Sequence, residues 1–365
     1  MTFVEDLDTP VPVVDVRRLE ANIARMAGRL APTGVAHRPH AKAHKTREIA
    51  EHQLRGGAAG LTVAKVGEAE AYVAAGFEDL FIAYPVVGRT KLLRLIKLLE
   101  RTPVSFTIDS AAGARGASEV LERSGHTADV VMEIEAGAGR TGVPDIAAAL
   151  ELASLVAELP GIRLTGVMAH APGYVPGLDA QRAMGHDEGA IAVHAAQALR
   201  AAGHTGVTFV TAGCTPTSPF AAEVPGVTHV RAGNYVFYDR KQVQLGVATL
   251  DDCALTVLAT VVSRPRPRRY VVDAGIKALA GEDYGWGTYG VLLDHPEVPI
   301  SWAAEEHGVI NVPDDVADPG LHIGDRVRIV PNHACGVPNM HDELVAIDGE
   351  RVVDTWRVIA RGRVR

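Results

Sequence analysis

Between about residue 34 and residue 239, short β-like apolar runs alternate with Ala/Leu/Glu-rich stretches whose apolar positions recur every three or four residues. The strand candidates are Gly34–His44, Leu61–Lys65, Leu80–Pro85, Val104–Asp109, Asp129–Glu135, Leu164–Ala171, Val207–Ala212 and Val230–Asp239. Helical spacing fills most of the gaps, as in Gly67–Ala75, Thr90–Glu100, Ile146–Glu158 and Asp187–Ala202. Strands alternating with helices predict parallel pairing through crossover helices. Eight of them is the number that closes a (β/α)8 barrel of the TIM type.

Past residue 245 helical periodicity fades, and β-rich runs appear at Ala254–Ser263, Tyr270–Asp273, Asp325–Val330, Glu343–Ile347 and Val352–Ile359. Turn formers at Arg264–Pro267, Val312–Gly320 and Asp348–Gly349 punctuate them. The prediction is an α/β barrel over residues 16–243 and a mostly antiparallel β domain over residues 244–365, with residues 1–15 (the run Thr9–Asp15) added to the latter.

Composition narrows the function. The 365 residues are 47% hydrophobic and 22% charged, the balance of a well-cored protein. A net charge of −8 argues against nucleic acid as a partner, since phosphate binding wants a basic face. No run approaches the ~18 apolar residues of a membrane span. The acidic start, MTFVEDLDTPVP, lacks the order of a secretion signal. Three cysteines cannot all pair, so a cytoplasmic enzyme is expected.

The first strand candidate reads Arg38-Pro39-His40-Ala41-Lys42-Ala43-His44-Lys45. Alternation along a strand puts Arg38, His40, Lys42 and His44 on one face, near the strand's C-terminal end, where barrel enzymes hold their active sites. A lysine crowded by other cations in a dry site gives up its proton readily and becomes a Schiff-base nucleophile. Two glycine-bearing segments follow the last two strands: Ala212-Gly213-Cys214-Thr215-Pro216-Thr217, and Arg231-Ala232-Gly233-Asn234-Tyr235. Such loops hold phosphate through backbone N–H groups. Opposite a Schiff-base lysine they point to pyridoxal 5'-phosphate (PLP). Arg140, in a glycine-rich turn, suits a ligand oxygen, and His170 ends strand six with a ring that could stack on a flat cofactor. In the β domain, His333 and Cys335 point the same way if their segment is extended, offering an imidazole and a thiolate to Zn²⁺ or a similar ion, with His341 and Asp342 close in sequence as further ligands or supports.

Taken together, RPHAKAHK, the AGCTPT loop, RAGNYVFYD, VVDAGIKAL (Val271–Leu279), EEHG (Glu305–Gly308), PNHAC and the closing W-x-V-x-A-R-G (Trp356–Gly362) resemble the D-threonine aldolase/D-serine dehydratase family. That family shares the barrel-plus-β-domain fold of alanine racemase, and the resemblance runs from Asp8 to the C-terminus. It implies that Lys42 carries the cofactor and removes the substrate's α-proton, and that Arg140 lies near the phenolic oxygen. It also implies that the AGCTPT loop and Gly233-Asn234 hold the phosphate, and that His333 and Cys335 bind the catalytic metal. The pyridine nitrogen falls to Arg231 or Tyr235. His170 departs from the tyrosine of many relatives and is closer to the racemase pattern. A homodimer with its sites closed by the partner is likewise implied.

The chemistry expected is a break at Cβ of D-3-hydroxy amino acids. Hydroxide is a poor leaving group, so a divalent metal (Zn²⁺ favoured, Mn²⁺ or Mg²⁺ as alternatives) on the β-hydroxyl takes up its developing charge, while PLP serves as the electron sink. Elimination gives a 2-oxo acid and ammonia; retro-aldol cleavage gives glycine and an aldehyde. His-x-Cys is the dehydratase form of the metal pair, whereas the aldolase branch carries an aspartate in the second position, so dehydration of D-serine or a related substrate is expected first and aldolase second. A metal-free racemase, a PLP carrier without catalysis and a metal-only hydrolase rank behind them.

Overall fold

The computed structural model describes residues 2–365. The chain forms two compact units. One comprises Arg25–Lys42, Ala50–Gly233 and Gly362–Arg365; the other comprises the chain up to Ala24, Ala43–Ile49 and Asn234–Arg361. No helix among the described residues is long and apolar enough to cross a membrane.

Strand β1 (Val11–Asp15) belongs to the second unit. The first unit holds β2 (Ala36–His37), β3 (Leu61–Val63), β4 (Leu80–Pro85), β5 (Val104–Ile108), β6 (Ala128–Glu135), β7 (Ile162–His170), β8 (Phe209–Ala212) and β9 (His229–Val230). They form an eight-stranded sheet in the order β2-β9-β8-β7-β6-β5-β4-β3, and every pairing is parallel. A parallel bridge from His40 to Thr62 joins the segment after β2 to β3, so the sheet closes on itself. This is the (β/α)8 barrel that the alternating pattern predicts.

Strands of such a sheet are covered on both faces, which is why they read as nearly continuous apolar runs. Phe81, Val131 and Met168 pack as one buried cluster, and Phe209 lies against it. Outer helices bury one stripe each, as Leu92, Leu95 and Ile96 do in the helix Arg89–Leu99. Asp145 caps the helix Ile146–Glu158 by accepting from Ala148 N, and Ser110 caps Ala111–Arg123 by accepting from Gly113 N.

Several strand candidates lose a residue or two at their ends, and two are far shorter than expected. Gly34–His44 contains only Ala36–His37 as strand, and Ala41–Ala43 is a 3₁₀ turn. Pro39 has no N–H to give a ladder, and alternation ends where the turn begins. Arg38, His40, Lys42 and His44 therefore do not share one face. The Arg38 guanidinium is held by the backbone oxygen (2.8 Å) and carboxylate (2.7 Å) of Asp79, the residue before β4, at the N-terminal end of the strands. His44 is buried in the other unit, its Nδ1 3.2 Å from both the N and Oγ1 of Thr46. Likewise Val230–Asp239 is strand only through Val230; Asn234–Val236 is a 3₁₀ turn and Asp239 caps the helix Arg240–Gln244.

The second unit is a nine-stranded, mostly antiparallel sheet. It contains β1, β10 (Leu255–Arg266), β11 (Arg269–Val272), β12 (Gly290–Leu292), β13 (Ile300–Ala303), β14 (Gly308–Asn311), β15 (Arg326–Pro331), β16 (Glu343–Asp348) and β17 (Arg351–Arg357). As the N-terminal apolar run suggests, β1 pairs antiparallel with β10 and parallel with β16. Val13 joins Leu258, Val345 and Ile347 in that core.

Burial also leaves a signature in titration. His37, at the end of β2, is pulled down from 6.5 to about 4 by burial, which its bond to Ala232 O (3.1 Å) offsets only in part. The folded state therefore binds fewer protons than the unfolded chain below pH 6.5. Stability present above that pH is lost as pH falls toward 4, by on the order of 3 kcal/mol for such a group. His37→Gln is expected to flatten the fall in unfolding free energy over this window in urea titrations; an unchanged slope would contradict the assignment.

Candidate active site

Strand ends decide which side chains meet. Lys42 follows β2, Arg140 follows β6, His170 is the last residue of β7, Cys214 lies just past β8, and Arg231 follows β9 directly. All are at the C-terminal ends of barrel strands, the face on which this architecture places reacting groups.

Their mutual charge shows that they converge. Burial drives the His40 imidazole well below its ordinary range, with Lys42, Arg231, His170 and Arg140 adding to the effect. His170 is held well below its usual value by burial and then by Arg140, Arg231 and Lys42. Both rings are thus neutral at pH 7, each with one N–H and one lone pair. Arg231 is buried, and its terminal nitrogens bind Thr211 Oγ1 (2.6 Å) and Ala169 O (2.7 Å). Burial lowers its proton affinity, and the carboxylates of Glu188 and Glu133 oppose that loss. Arg140 and the Lys42 side chain are exposed.

The loop after β8 is built around a buried acid. Glu188, on the helix Leu178–Ala201, accepts from Gly213 N (2.8 Å) and Thr217 Oγ1 (2.9 Å). Thr217 Oγ1 in turn accepts from Cys214 N (3.0 Å). Gly213 has φ +88°, and a Cβ there would lie 2.7 Å from Ser218 Cα, so only glycine fits. A Cβ on Gly233 would lie 2.7 Å from His40 O. Thr215 is buried in the same loop. Burial, then Glu188, pushes the Cys214 thiol up to about 11, so it stays protonated.

PLP needs an amine for its aldehyde, donors for its phosphate and a flat slot for its ring. Lys42 Nζ supplies the first among neutral rings and two guanidinium groups. At the glycine loop Ser218 Oγ is buried and has no hydrogen-bond partner, a donor suited to a phosphate oxygen. The residues fit the cofactor.

The second unit brings its own pair together, by a different route from the one expected. His333 is extended, but Ala334–Asn339 is a 3₁₀ helix, so Cys335 sits in its first turn. Asp239 is fully buried and its Oδ2 accepts from His333 Nδ1 (2.9 Å), Asn234 Nδ2 (2.7 Å) and Ala334 N (2.9 Å). Burial disfavours a charged His333, but the Cys335 thiolate and the Asp239 carboxylate override it and push the imidazole up to about 11. Burial likewise opposes the Cys335 thiolate; the neighbouring His333 charge and the Asn234 amide (3.5 Å from Sγ) bring it below the usual thiol range. A thiolate favoured over its thiol, beside an imidazole that must give up its Nε2 proton to an incoming cation, fits a borderline-soft divalent ion that takes its other ligands from water or substrate.

His341 and Asp342 are not part of this cluster. His341 Nε2 is 3.1 Å from Ala278 O, and Asp342 pairs with Arg361 at 2.6 Å. Among the described residues no group of three or more His, Cys, Asp or Glu side chains could hold a metal. Tyr235 is fully buried, and the Asn234 side-chain amide is engaged with Asp239 and Cys335. Asp239, Glu188 and Ser218 carry weight that the sequence did not disclose. An N-cap signal, an aspartate three residues before Gln242 N, was available for Asp239 alone.

A closed parallel barrel with this mouth, followed by a β unit, defines the alanine racemase-like class of fold. Residues 14–241 match the family model described as alanine racemase, N-terminal domain, and residues 254–347 match a putative serine dehydratase domain. A D-threonine aldolase from Arthrobacter sp. is 35% identical over 98% of this chain and 93% of its own. The D-threo-3-hydroxyaspartate dehydratase of Delftia sp. HT23 superimposes with a TM-score of 0.92 at 33% identity, over 98% of this chain and 99% of that one. A D-threonine aldolase from Filomicrobium marinum gives 0.92 at 32% identity, over 99% and 98%. The chain belongs to the D-threonine aldolase/D-serine dehydratase family of PLP-dependent lyases.

The buried acid gives a direct check on the loop. Glu188→Ala leaves the Gly213 N–H and the Thr217 hydroxyl buried without their acceptor and is expected to destabilise the apoprotein by about 2–4 kcal/mol. Glu188→Gln, which keeps one acceptor oxygen, is expected to cost less than half as much. Urea midpoints of the two variants decide; equal losses would contradict the role given to the hydrogen bonds.

Proposed function

We propose that the enzyme dehydrates D-3-hydroxy amino acids, D-serine or a close relative, to a 2-oxo acid and ammonia, using PLP at Lys42 and a divalent metal at His333 and Cys335. Action on D-3-hydroxy amino acids is common ground among its relatives, which include aldolases as well as dehydratases. The observation that carries the reading is the His333–Cys335 pair backed by Asp239. A racemase has no poor leaving group to expel and so no use for such a pair.

When bound, PLP supplies an electron sink for charge at Cα and the metal a Lewis acid for the β-hydroxyl. The chain's own groups do the rest. Lys42 Nζ is the amine that would hold the cofactor's aldehyde and is the base placed to take the proton from the substrate's Cα. His40 and His170, kept neutral by burial, would flank the ring without adding charge, and Arg140 would pair with the phenolic oxygen. Arg231, its guanidinium held by Thr211 Oγ1 and Ala169 O, would serve the pyridine end. Ser218, Thr215 and the backbone of Gly213, Cys214 and Gly233 would hold the phosphate. His333 Nε2 and Cys335 Sγ would hold the metal, for which Zn²⁺ suits the thiolate best.

Retro-aldol cleavage is the second reading, because the Arthrobacter aldolase matches this chain at 35% identity, as does the Delftia dehydratase. Metal-loaded enzyme given D-threonine separates the two. 2-Oxobutanoate and ammonia, lost on adding chelator, are expected; glycine with acetaldehyde would replace the dehydratase reading by the aldolase one, and turnover indifferent to chelator would remove the metal from both.

A further inference from the structure

Asp239 accepts more hydrogen bonds than its place in the chain requires. As the N-cap of the helix Arg240–Gln244 it needs one, from Gln242 N to Oδ1 at 2.9 Å. Its other oxygen accepts three, from His333 Nδ1, Asn234 Nδ2 and Ala334 N, at 2.7–2.9 Å. A carboxylate removed from water is costly unless donors surround it, and here three of the four donors come from the His333–Cys335 pair and its support. Asn234 is fixed as well. Its Nδ2 donates to Asp239 and reaches Cys335 Sγ at 3.5 Å, while its buried Oδ1 has no partner. Reversing the amide would set Oδ1 against the Asp239 oxygen at 2.7 Å. One acceptor is left unsatisfied so that both N–H groups stay aimed.

We propose that Asp239 is the positioning residue of the metal centre. Its Oδ2 keeps the His333 proton on Nδ1, leaving the Nε2 lone pair for the ion, and through Asn234 it aims an N–H at the Cys335 sulfur. A carboxylate behind a ligating imidazole orients the ring and makes it a better donor; a hydrogen bond to the thiolate withdraws charge from the metal–sulfur bond. This inference rests on the metal reading above, and the experiment separates the two.

Full-length holoenzyme, wild type and Asp239→Asn, is titrated with Zn²⁺ and with Co²⁺ against a chromophoric chelator, and the cobalt spectra are recorded. Asparagine keeps the size and capping ability of aspartate but cannot offer two acceptor oxygens. Metal affinity is expected to fall by about 10–100-fold, with a shifted cobalt ligand-field spectrum. Wild-type affinity and spectrum in Asp239→Asn would overturn the inference and leave the metal reading standing; wild-type protein that binds neither ion would overturn both. If Asp239→Asn does not fold, Asn234→Ala reads the same network from the sulfur side. The thiolate-to-cobalt band is then expected to move, and an unmoved band would overturn the proposal.

Discussion

Several cationic side chains cannot crowd the rim of a closed parallel barrel unless some surrender their protons and the rest find anions. That constraint organises the first unit. His40 and His170 meet it by staying neutral. Arg231 keeps its charge with Thr211, the Ala169 carbonyl and the fields of Glu188 and Glu133. What remains charged beside Lys42 are the Arg140 and Arg231 guanidinium groups, partners suited to an aldehyde that bears a phosphate and a phenolate.

The backbone serves the same end. Short strands stop early, so Lys42 rides on a 3₁₀ turn and the loops after β8 and β9 come in close enough that neither Gly213 nor Gly233 has room for a Cβ. Glu188 ties the first of these loops from below through two hydrogen bonds. In the second unit a buried carboxylate again does the tying, with Asp239 gathering His333, Asn234 and Ala334. Each unit therefore fixes its chemical group by a buried acid whose donors are fully specified.

Much of this was legible in the sequence where one local rule was at work. The strand Leu80–Pro85 and the helix Ile146–Glu158 fall where the apolar periods put them. The N-terminal run also joins the β unit as its pattern suggested. Failures came where rules competed. At Pro39–Ala43 the alternation of small and basic residues looks like a strand, but proline and the turn that follows end it, and Arg38, His40, Lys42 and His44 do not share one face. Strands β12, β13 and β14 went unread because they have three or four residues each, in a stretch rich in Gly, Pro and Asp. The structure brings His333 and Cys335 side by side, yet through a 3₁₀ turn and not the extended geometry expected of the spacing. Asp239 and Glu188 act across long sequence separations, which no local pattern records.

The central claim is that the amine at position 42 carries the aldehyde cofactor. Borohydride reduction of the yellow holoenzyme, followed by proteolysis and mass mapping, tests it most directly. The account predicts a single phosphopyridoxyl group on Lys42; label on any other lysine, or a protein that neither colours nor takes up label, would contradict it.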